Sequence, residues 1–503
     1  MQTGNLPAQI GRHASLRPQQ PALVQGPTVL SYAALDALMN RVAAALQRDG
    51  VLPGQAIALC GHSTPLQAAV FLGALRAGVV VAPLAGSSSA ESLRMMLNDA
   101  QAQLVFVDSS SAHLLPASAL AMCVALDADA PGIPLEEWLA PVGAQPAAVA
   151  LAPEHAFNII YSSGTTGTPK GIVQSHGMRW NHVQRAAPYG YGIQGVTLLA
   201  TPLYSNTTLV VFFPTLAFGG TVVLMQKFNA TGYLQLAQQH RVTHTMLVPV
   251  QYQRIMAVPE FGNYDLSLFN TKFCTSAPFS AVLKADVLAR WPGRLVEFYG
   301  MTEGGGTCIL QAHLHTDKLH TVGQPAEGHD LRLISEDGVE MAAGLTGEVV
   351  GHSPAMMIGY HGRPELTRQA EWFSPEGKRY IRTGDIGRFD ADGFLTLLDR
   401  KKDVVISGGF NIYPSDVEAV LMAHPSVAEC AVFGIPSITW GETPVCCAVL
   451  RLGHALGANE LREWTNVQLG KTQRLAELRL VEELPRSAIG KVLKRELRLA
   501  WNG

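Results

Sequence analysis

The strongest constraint on the fold of this 503-residue chain is an alternation of short apolar runs with segments of helical spacing. Runs of strand length occupy residues 56–60, 79–83, 104–107 and 121–126, and residues 30–47 and 66–77 have the apolar spacing of helices. Strands that alternate with helices pair in parallel and carry helices on both faces of the sheet. We therefore predict an α/β fold, with more than one domain because of the length.

Composition excludes several classes of protein. Apolar residues make up 48% of the chain and charged residues 15%, which argues against disorder. The net charge of −3 lacks the basic surplus of a nucleic-acid binder. No charge lies between Arg185 and Lys227, as in a membrane span, but Pro202 and Pro214 interrupt this stretch and favour buried elements of a soluble core.

The seven cysteines are dispersed and form no CxxC pair. This pattern indicates reduced thiols rather than disulfides or a zinc site. Residues 1–17 contain no apolar core of a signal peptide, so we expect a cytoplasmic protein. The sequence does not determine the oligomeric state, and a homodimer is a working expectation only.

Five consecutive charged residues at 399–403 stand out in a chain with only 15% charged residues and indicate a solvated joint between domains. Beyond it, segments of strand and helix spacing continue to the end of the chain. We predict a body over residues 1–400 and a small α+β lid over residues 401–503.

Residues 161–171 read Tyr-Ser-Ser-Gly-Thr-Thr-Gly-Thr-Pro-Lys-Gly and follow the apolar run 157–161, which we predict to be a strand. Glycines permit close approach of the backbone to an anion, and hydroxyls and N–H groups supply donors. Lys170 adds a charge that could reach terminal phosphates. Pro169 before it excludes the Walker A pattern. The segment is either a phosphate-binding loop or an ordinary turn rich in Ser, Thr and Gly.

Six segments in order carry a resemblance to a known family. They are the loop at 161–171 and the segments Tyr-Gly-Met-Thr-Glu at 299–303, Tyr-Ile-Arg-Thr-Gly-Asp at 380–385, Asp-Arg-Lys-Lys-Asp at 399–403, Ser-Gly-Gly-Phe-Asn-Ile-Tyr-Pro at 407–414 and Pro-Arg-Ser-Ala-Ile-Gly-Lys at 485–491. From about residue 20 to its end, the chain resembles the adenylate-forming (ANL) superfamily. That superfamily contains acyl-CoA synthetases, non-ribosomal peptide adenylation domains and firefly luciferase.

The resemblance implies a large body of mixed and parallel sheets flanked by helices, a β-barrel-like subdomain and a mobile lid. It implies an AMP-forming acid–CoA ligase that uses ATP, Mg²⁺ and coenzyme A. Such an enzyme converts a carboxylic acid to acyl-AMP with release of pyrophosphate, and then to a thioester. Two alternatives remain open: an acyl-AMP ligase that loads a separate carrier protein, and a nucleotide-binding relative without catalysis.

The resemblance also assigns nucleotide-binding roles. Thr302 and Glu303 would bind ATP and its Mg²⁺, Tyr299 would stack on adenine, Asp385 would accept the ribose hydroxyls and Arg400 would support the sugar and phosphates. The expected phosphate-binding residues are Ser163, Gly164, Thr165, Thr166, Gly167 and Lys170, and the remaining AMP-binding residues are Ser276, Ala277, Pro278 and Gly300.

In the lid, the resemblance places Lys491 between the carboxylate and the α-phosphate, as a catalytic residue. Lys402 would be the hinge about which the domain rotates. Gly408 and Gly409 would let a pantetheine arm pass, with Trp440 near its path. Relatives carry an aromatic-Lys-x-Pro stretch near the nucleotide end of CoA, where this chain has Thr-Gln-Arg-Leu at 472–475. The aromatic residue is missing, and Arg474 would contact a CoA phosphate.

The acid pocket is expected to suit an aryl or a short-to-medium acyl acid. Ser205 stands where many relatives have a histidine, so that histidine's role is not carried over. Arg185 lies near an aryl-contacting segment of relatives; it could bind a second substrate carboxylate, but a surface position is favoured. The expected lining residues are Tyr204, Asn206, Leu209, Phe213, Thr275, Ser276, Met301, Gly304 and Ile309.

Overall fold

The computed structural model describes residues 4–116, 119, 122–162, 169–342, 344–408, 410–486 and 492–501. Its helices, numbered here in chain order, are α1 (Leu6–Leu16), α2 (Tyr32–Arg48), α3 (Pro65–Arg76), α4 (Ala90–Ala100), α5 (Ser109–Ala112), α6 (Leu135–Trp138), α7 (His176–Arg185), α8 (Asn206–Ala217), α9 (Ala230–Gln239), α10 (Pro249–Met256), α11 (Ala281–Arg290), α12 (Pro364–Gln369), α13 (Pro414–Met422), α14 (Ala458–Gln468) and α15 (Lys494–Trp501).

The strands of the first half of the chain are β1 (Pro21–Gln25), β2 (Thr28–Ser31), β3 (Ala56–Cys60), β4 (Val80–Leu84), β5 (Val105–Val107), β6 (Cys123–Ala125), β7 (Ile133–Pro134), β8 (Ala156–Ser162), β9 (Lys170–Ser175), β10 (Val196–Leu199), β11 (Thr221–Leu224), β12 (His244–Leu247) and β13 (Thr271–Cys274). Those of the second half are β14 (Arg294–Gly300), β15 (Thr307–Gln311), β16 (Gln324–Pro325), β17 (Asp330–Ile334), β18 (Gly347–His352), β19 (Gly359–Tyr360), β20 (Glu371–Phe373), β21 (Arg379–Phe389), β22 (Leu395–Arg400), β23 (Val405–Ser407), β24 (Phe410–Ile412), β25 (Val427–Ser437), β26 (Gly441–Leu450) and β27 (Glu477–Leu480).

Two large mixed sheets form most of the body. One runs β19-β9-β8-β4-β3-β5-β6-β7 and the other β16-β15-β14-β13-β12-β10-β11-β1-β2. The central strands β3 and β4 are parallel and buried along their whole length, as expected of strands covered on both faces. Antiparallel partners enter at β8–β9 and β14–β15. The expected phosphate loop lies in sequence between β8 and β9, and Thr302 and Glu303 lie between β14 and β15.

The described residues group into two compact units. The first comprises residues 1–319, 325–330 and 351–381, and the second residues 320–324, 331–350 and 382–503. At the C-terminal end of the second unit, a five-stranded sheet runs β24-β23-β26-β25 with β27 paired to β26. Helices α13 and α14 contribute Val417, Leu421 and Leu461 to its core. The boundary near residue 400 and the hinge at Lys402 stay predictions.

The predicted α/β class is confirmed, and the predicted elements lie close to the observed ones. Residues 56–60 form β3, and the predicted helices at 30–47 and 66–77 are α2 and α3. The charge-free stretch after Arg185 forms β10, α8 and β11, and no helix of the described chain is long and apolar enough to cross a membrane. All seven cysteines are free.

The charged segments of the second unit are less solvated than the sequence suggests. The Asp399 side chain is 10% exposed, and burial raises its pKa to about 6. Lys494 forms an ion pair with Glu418 at 2.9 Å, and Arg498 with Asp403 at 3.1 Å. These charges hold α15 in place, so the basic run on that helix is not simply a solvated face.

We predict that the protein becomes less stable as the pH is lowered from 6.5 to 4, in part because of His244 on β12. Its ring is 1% exposed, stacks on Tyr191 at 4.3 Å and lies 2.9 Å from the Tyr189 carbonyl through Nε2. Burial lowers the pKa of His244 to about 4. Between pH 6.5 and 4 the unfolded chain therefore takes up a proton that the folded chain does not, and the free energy of unfolding decreases as the pH falls.

The measurement is urea unfolding at pH 7, 6 and 5. One such histidine contributes at most about 1.4 kcal/mol per pH unit. Burial also lowers the pKa of His176, His182 and His329, which act in the same direction. The variant His244→Gln, whose amide can still donate to Tyr189, is expected to show a shallower decline. Equal slopes in the two proteins would contradict the assignment.

Candidate active site

The ribbon β8–β9 brackets the expected phosphate loop. Ser162 at the end of β8 pairs with Lys170 at the start of β9. The loop residues Ser163, Gly164, Thr165, Thr166 and Gly167 lie outside the described residues. On its other edge β9 pairs with the short strand β19, and Lys170 Nζ lies 5.6 Å from the centre of the Tyr360 ring. Among the described residues the lysine thus contacts an aromatic face and forms no ion pair with a carboxylate.

Asp99, on α4, ties both flanks of this ribbon together. Its Oδ2 accepts a hydrogen bond from Tyr161 Oη at 2.8 Å, and its Oδ1 accepts one from Arg363 Nη2 at 3.1 Å. The backbone of Gly171 passes so close that a Cβ there would lie 2.9 Å from Ile159 and 3.0 Å from Asp99 Oδ2. A larger residue at this position would have to displace these side chains, so glycine permits the close packing of β9 against β8 and Asp99.

Glu303 is joined to the same ribbon through Tyr360. The tyrosine hydroxyl donates to Glu303 Oε1 at 2.8 Å, and the Glu303 carbonyl accepts from the Met357 N–H at 2.8 Å. Burial, and then the neighbouring carboxylate, raise the pKa of Tyr360, so it remains a donor at neutral pH. The next residue, Gly304, has φ +75°, and a Cβ there would lie 1.8 Å from the Ala355 carbonyl oxygen.

The donor set fits Mg²⁺ that is shared with a nucleotide. Among the described residues, no group of three or more His, Cys, Asp or Glu side chains could hold a metal by itself. Glu303 offers one carboxylate, and Mg²⁺ commonly takes one or two carboxylates together with phosphate oxygens. Glu303 would therefore hold the ion only when ATP supplies the remaining ligands.

Thr302 is positioned by a buried polar network. Its carbonyl accepts from Gln174 Nε2 at 2.7 Å, and Gln174 Oε1 accepts from Asn158 Nδ2 at 3.1 Å. The Asn158 Oδ1 atom accepts from Arg179 Nε at 2.9 Å, and Arg179 Nη1 donates to Asn206 Oδ1 at 2.9 Å. The network therefore links an expected ATP-binding residue, Thr302, with an expected pocket residue, Asn206.

The expected adenine-binding segments lie side by side. Ser276 has φ +81°, which is uncommon for a residue with a side chain, and its Oγ lies 2.6 Å from Thr207 Oγ1. Ala277 and Pro278 follow it, and Thr275 Oγ1 donates to the Phe298 carbonyl at 2.8 Å. That hydrogen bond joins the 275–278 loop to β14, which carries Tyr299 and Gly300.

Asp385 and Arg400 are neighbours in the second unit. They are paired across β21 and β22, and Arg400 Nε lies 3.3 Å from Asp385 Oδ1. The arginine side chain is 45% exposed, so this ion pair contributes little stability and leaves the guanidinium accessible to a ligand. Lys402 lies two residues further on, exposed in a turn.

The expected CoA-binding residues are partly described. The Gly408 N–H donates to the Trp440 carbonyl at 2.8 Å, and a Cβ on Gly408 would lie 3.0 Å from the Trp440 ring. Trp440 itself is 57% exposed. Arg474 is exposed after a short turn. Gly409 and Lys491 lie outside the described residues.

The expected acid-pocket residues differ in burial and in their contacts. Leu209 and Phe213 are buried in the hydrophobic core of the body. Tyr204, Met301, Gly304 and Ile309 are half-buried, and Ile309 pairs with Phe298 across β14 and β15. Asn206 is held by Arg179, and Ser205 precedes α8 without capping it through its side chain. Their roles toward a substrate stay predictions.

Three residues that contact the expected site were not found from the sequence: Tyr360, Asp99 and Arg179. Tyr360 lies 57 residues beyond its partner Glu303 and belongs to none of the six motifs. Only Arg179 could have been found from the sequence, because an arginine among the apolar residues of a helix requires buried partners. The other two depend on long-range pairing that residue spacing does not specify.

Comparison with known proteins identifies the family and the fold of the chain. The family described as AMP-binding enzyme matches residues 10–361, and its C-terminal domain matches residues 416–491. The chain is 33% identical to feruloyl-CoA synthase of Amycolatopsis sp., over 97% of each protein. It is 32% identical to indoleacetate–CoA ligase of Aromatoleum aromaticum, over 97% of this chain and 96% of that one. ATP-bound MatB of Rhodopseudomonas palustris superposes with a TM-score of 0.88 at 28% identity, covering 99% and 98% of the two chains.

We predict that Tyr360→Phe lowers kcat/KM for ATP by about tenfold, because it removes one hydrogen bond to a carboxylate, worth ~1.5 kcal/mol. The readout is pyrophosphate exchange at varied ATP and Mg²⁺, with Tyr264→Phe as the matched loss of a hydroxyl elsewhere. A Tyr360→Phe enzyme within twofold of the unmodified enzyme would show that this hydrogen bond does not position Glu303.

Proposed function

Because this chain belongs to the AMP-binding enzyme family, we propose that it activates a small-to-medium carboxylic acid, aryl or short-to-medium acyl. The chain is an AMP-forming acid–thiol ligase. It uses ATP to form an acyl adenylate with release of pyrophosphate, and then forms a thioester with coenzyme A. The observation that supports the proposal is that Lys170 and Glu303 both contact Tyr360, which brings a cation and a carboxylate near each other next to the expected phosphate loop.

In the first step a carboxylate oxygen of the acid attacks the α-phosphorus of ATP, and the bond to pyrophosphate breaks. Both reactants are anions, so the site must offset their repulsion and hold them in line. Lys170 would neutralise the departing phosphates, and Lys491 would lie between the carboxylate and the α-phosphate. Mg²⁺ held on Glu303 would supply further neutralisation of the phosphates.

In the second step the thiol of coenzyme A attacks the carbonyl carbon of the adenylate, and AMP leaves. The lid would rotate about Lys402, withdraw Lys491 and present Gly408 and Gly409 to the pantetheine arm. Gly408 has φ +58°, and a Cβ there would lie 3.0 Å from the Trp440 ring, so both the backbone conformation and the close ring favour glycine. This supports a path that needs a bare backbone.

A cytoplasmic location is consistent with the seven free cysteines. A homodimer remains the working expectation, and light scattering of the purified protein tests it directly.

The proposed function is tested by ATP–pyrophosphate exchange across a panel of carboxylic acids. Exchange that depends on an added acid supports it. Binding of ATP without exchange for any acid would favour the nucleotide-binding relative without catalysis. Thioester formation is then measured with coenzyme A and, separately, with a phosphopantetheinylated carrier protein. Transfer to the carrier protein alone would favour the acyl-AMP ligase.

We predict that Lys491→Ala lowers adenylation by about 100-fold or more, because it removes a charge that acts on the transition state. Thioester formation from supplied acyl-AMP should remain largely intact. The matched control is Arg495→Ala, which removes an exposed charge from α15. Equal losses of both half-reactions in Lys491→Ala would disprove this division of labour.

A further inference from the structure

Arg185 lies at the C-terminal end of α7 and is half-buried, so the expected surface position is wrong. Its guanidinium lies 5.5 Å from the centre of the Phe298 ring, and its Nη1 donates to Thr307 Oγ1 at 3.2 Å. No carboxylate of the described residues pairs with it. A half-buried guanidinium is therefore left without a counter-ion, which is unfavourable unless a ligand provides one.

Two imidazoles, those of His182 one helical turn earlier on α7 and of His329, lie within electrostatic range of this arginine. Burial lowers the pKa of His182 and of His329, and the positive charge of Arg185 lowers both further. Both rings are therefore neutral at neutral pH. The Nδ1 atom of each ring is buried and has no hydrogen-bond partner. The group formed by Arg185, His182, His329, Thr307 and Phe298, here called the Arg185 cluster, thus combines an unpaired cation with two unused ring nitrogens.

The Arg185 cluster adjoins the expected acid pocket. Phe298 pairs with Ile309 across β14 and β15, and Gly300 pairs with Thr307. Side chains on alternate residues of a strand share a face, so Phe298, Thr307 and Ile309 project from the same face of this ribbon. The carbonyl of Phe298 also accepts the hydroxyl of Thr275, another expected pocket residue.

We propose that the Arg185 cluster binds a second carboxylate of the substrate, so that the acid activated by this enzyme is a dicarboxylic acid. This inference rests on the proposed function. An arginine can only donate, so its ligand must be an acceptor, and a charged acceptor also supplies the missing counter-ion. One carboxylate oxygen would meet the guanidinium, and the other can accept from an imidazole N–H. The first carboxylate remains free to attack ATP.

The test compares matched acids in pyrophosphate exchange. One set is 3-phenylpropanoate, 3-(4-hydroxyphenyl)propanoate and 3-(4-carboxyphenyl)propanoate. The other set is linear dicarboxylates of four to eight carbons, each with the monoacid of equal length. At least one dicarboxylate should exceed its monoacid partner by tenfold or more in kcat/KM. In Arg185→Gln this ratio should fall at least tenfold, through KM for the acid and not for ATP, and Arg185→Lys should restore part of it.

Thr307→Val provides a second variant, because it removes the hydroxyl that orients the guanidinium and should reduce the same ratio. Arg495→Gln, an exposed arginine, should leave the ratio unchanged. The proposal would be overturned if, in both sets, no dicarboxylate exceeded its matched monoacid in kcat/KM, or if the preference for the dicarboxylate were the same in Arg185→Gln as in the unmodified enzyme. If none of the acids supported exchange, the proposed function itself would be rejected.

Discussion

The candidate site depends on a buried cation whose hydrogen-bond partners, among the described residues, are neutral amides. Arg179 is 2% exposed, and burial lowers its pKa, yet its hydrogen-bond partners are the amide oxygens of Asn158 and Asn206. Its Nη2 is already buried without a hydrogen-bond partner, so removing either amide would leave a second guanidinium donor unpaired, at a cost of about 1–3 kcal/mol. The pairings oblige β8, α7 and α8 to meet in one arrangement. Through Gln174 the same arrangement fixes the carbonyl of Thr302.

Much of the fold could be predicted from local sequence, because periodicity and glycine positions act over a few residues. The strand at 56–60 and the helices α2 and α3 are examples. The order of strands could not be predicted in this way. Nothing near Gly359 and Tyr360 indicates that they pair with β9, since that pairing joins segments far apart in the chain.

The candidate site shows the same division. The motifs identified Lys170, Glu303, Asp385 and Arg400 because each lies in a short, specific segment. The structure brings Asp385 beside Arg400, and connects Lys170 with Glu303 through Tyr360. The predicted surface position of Arg185 is wrong for a physical reason. A residue at the end of a polar helix gives no sign of burial when the covering surface, here Phe298 and Thr307, comes from distant strands.

The ribbon β14–β15 has one further consequence. Phe298 and Tyr299 are consecutive, so the pleat directs them to opposite faces: one toward the Arg185 cluster, the other away from it. Substitutions on the face of Phe298, Thr307 and Ile309 can therefore alter the choice of acid without touching the residue expected to stack on adenine. A duplicated gene could diverge in its acid while its use of ATP is inherited intact, and an engineer could randomise that one face for the same purpose.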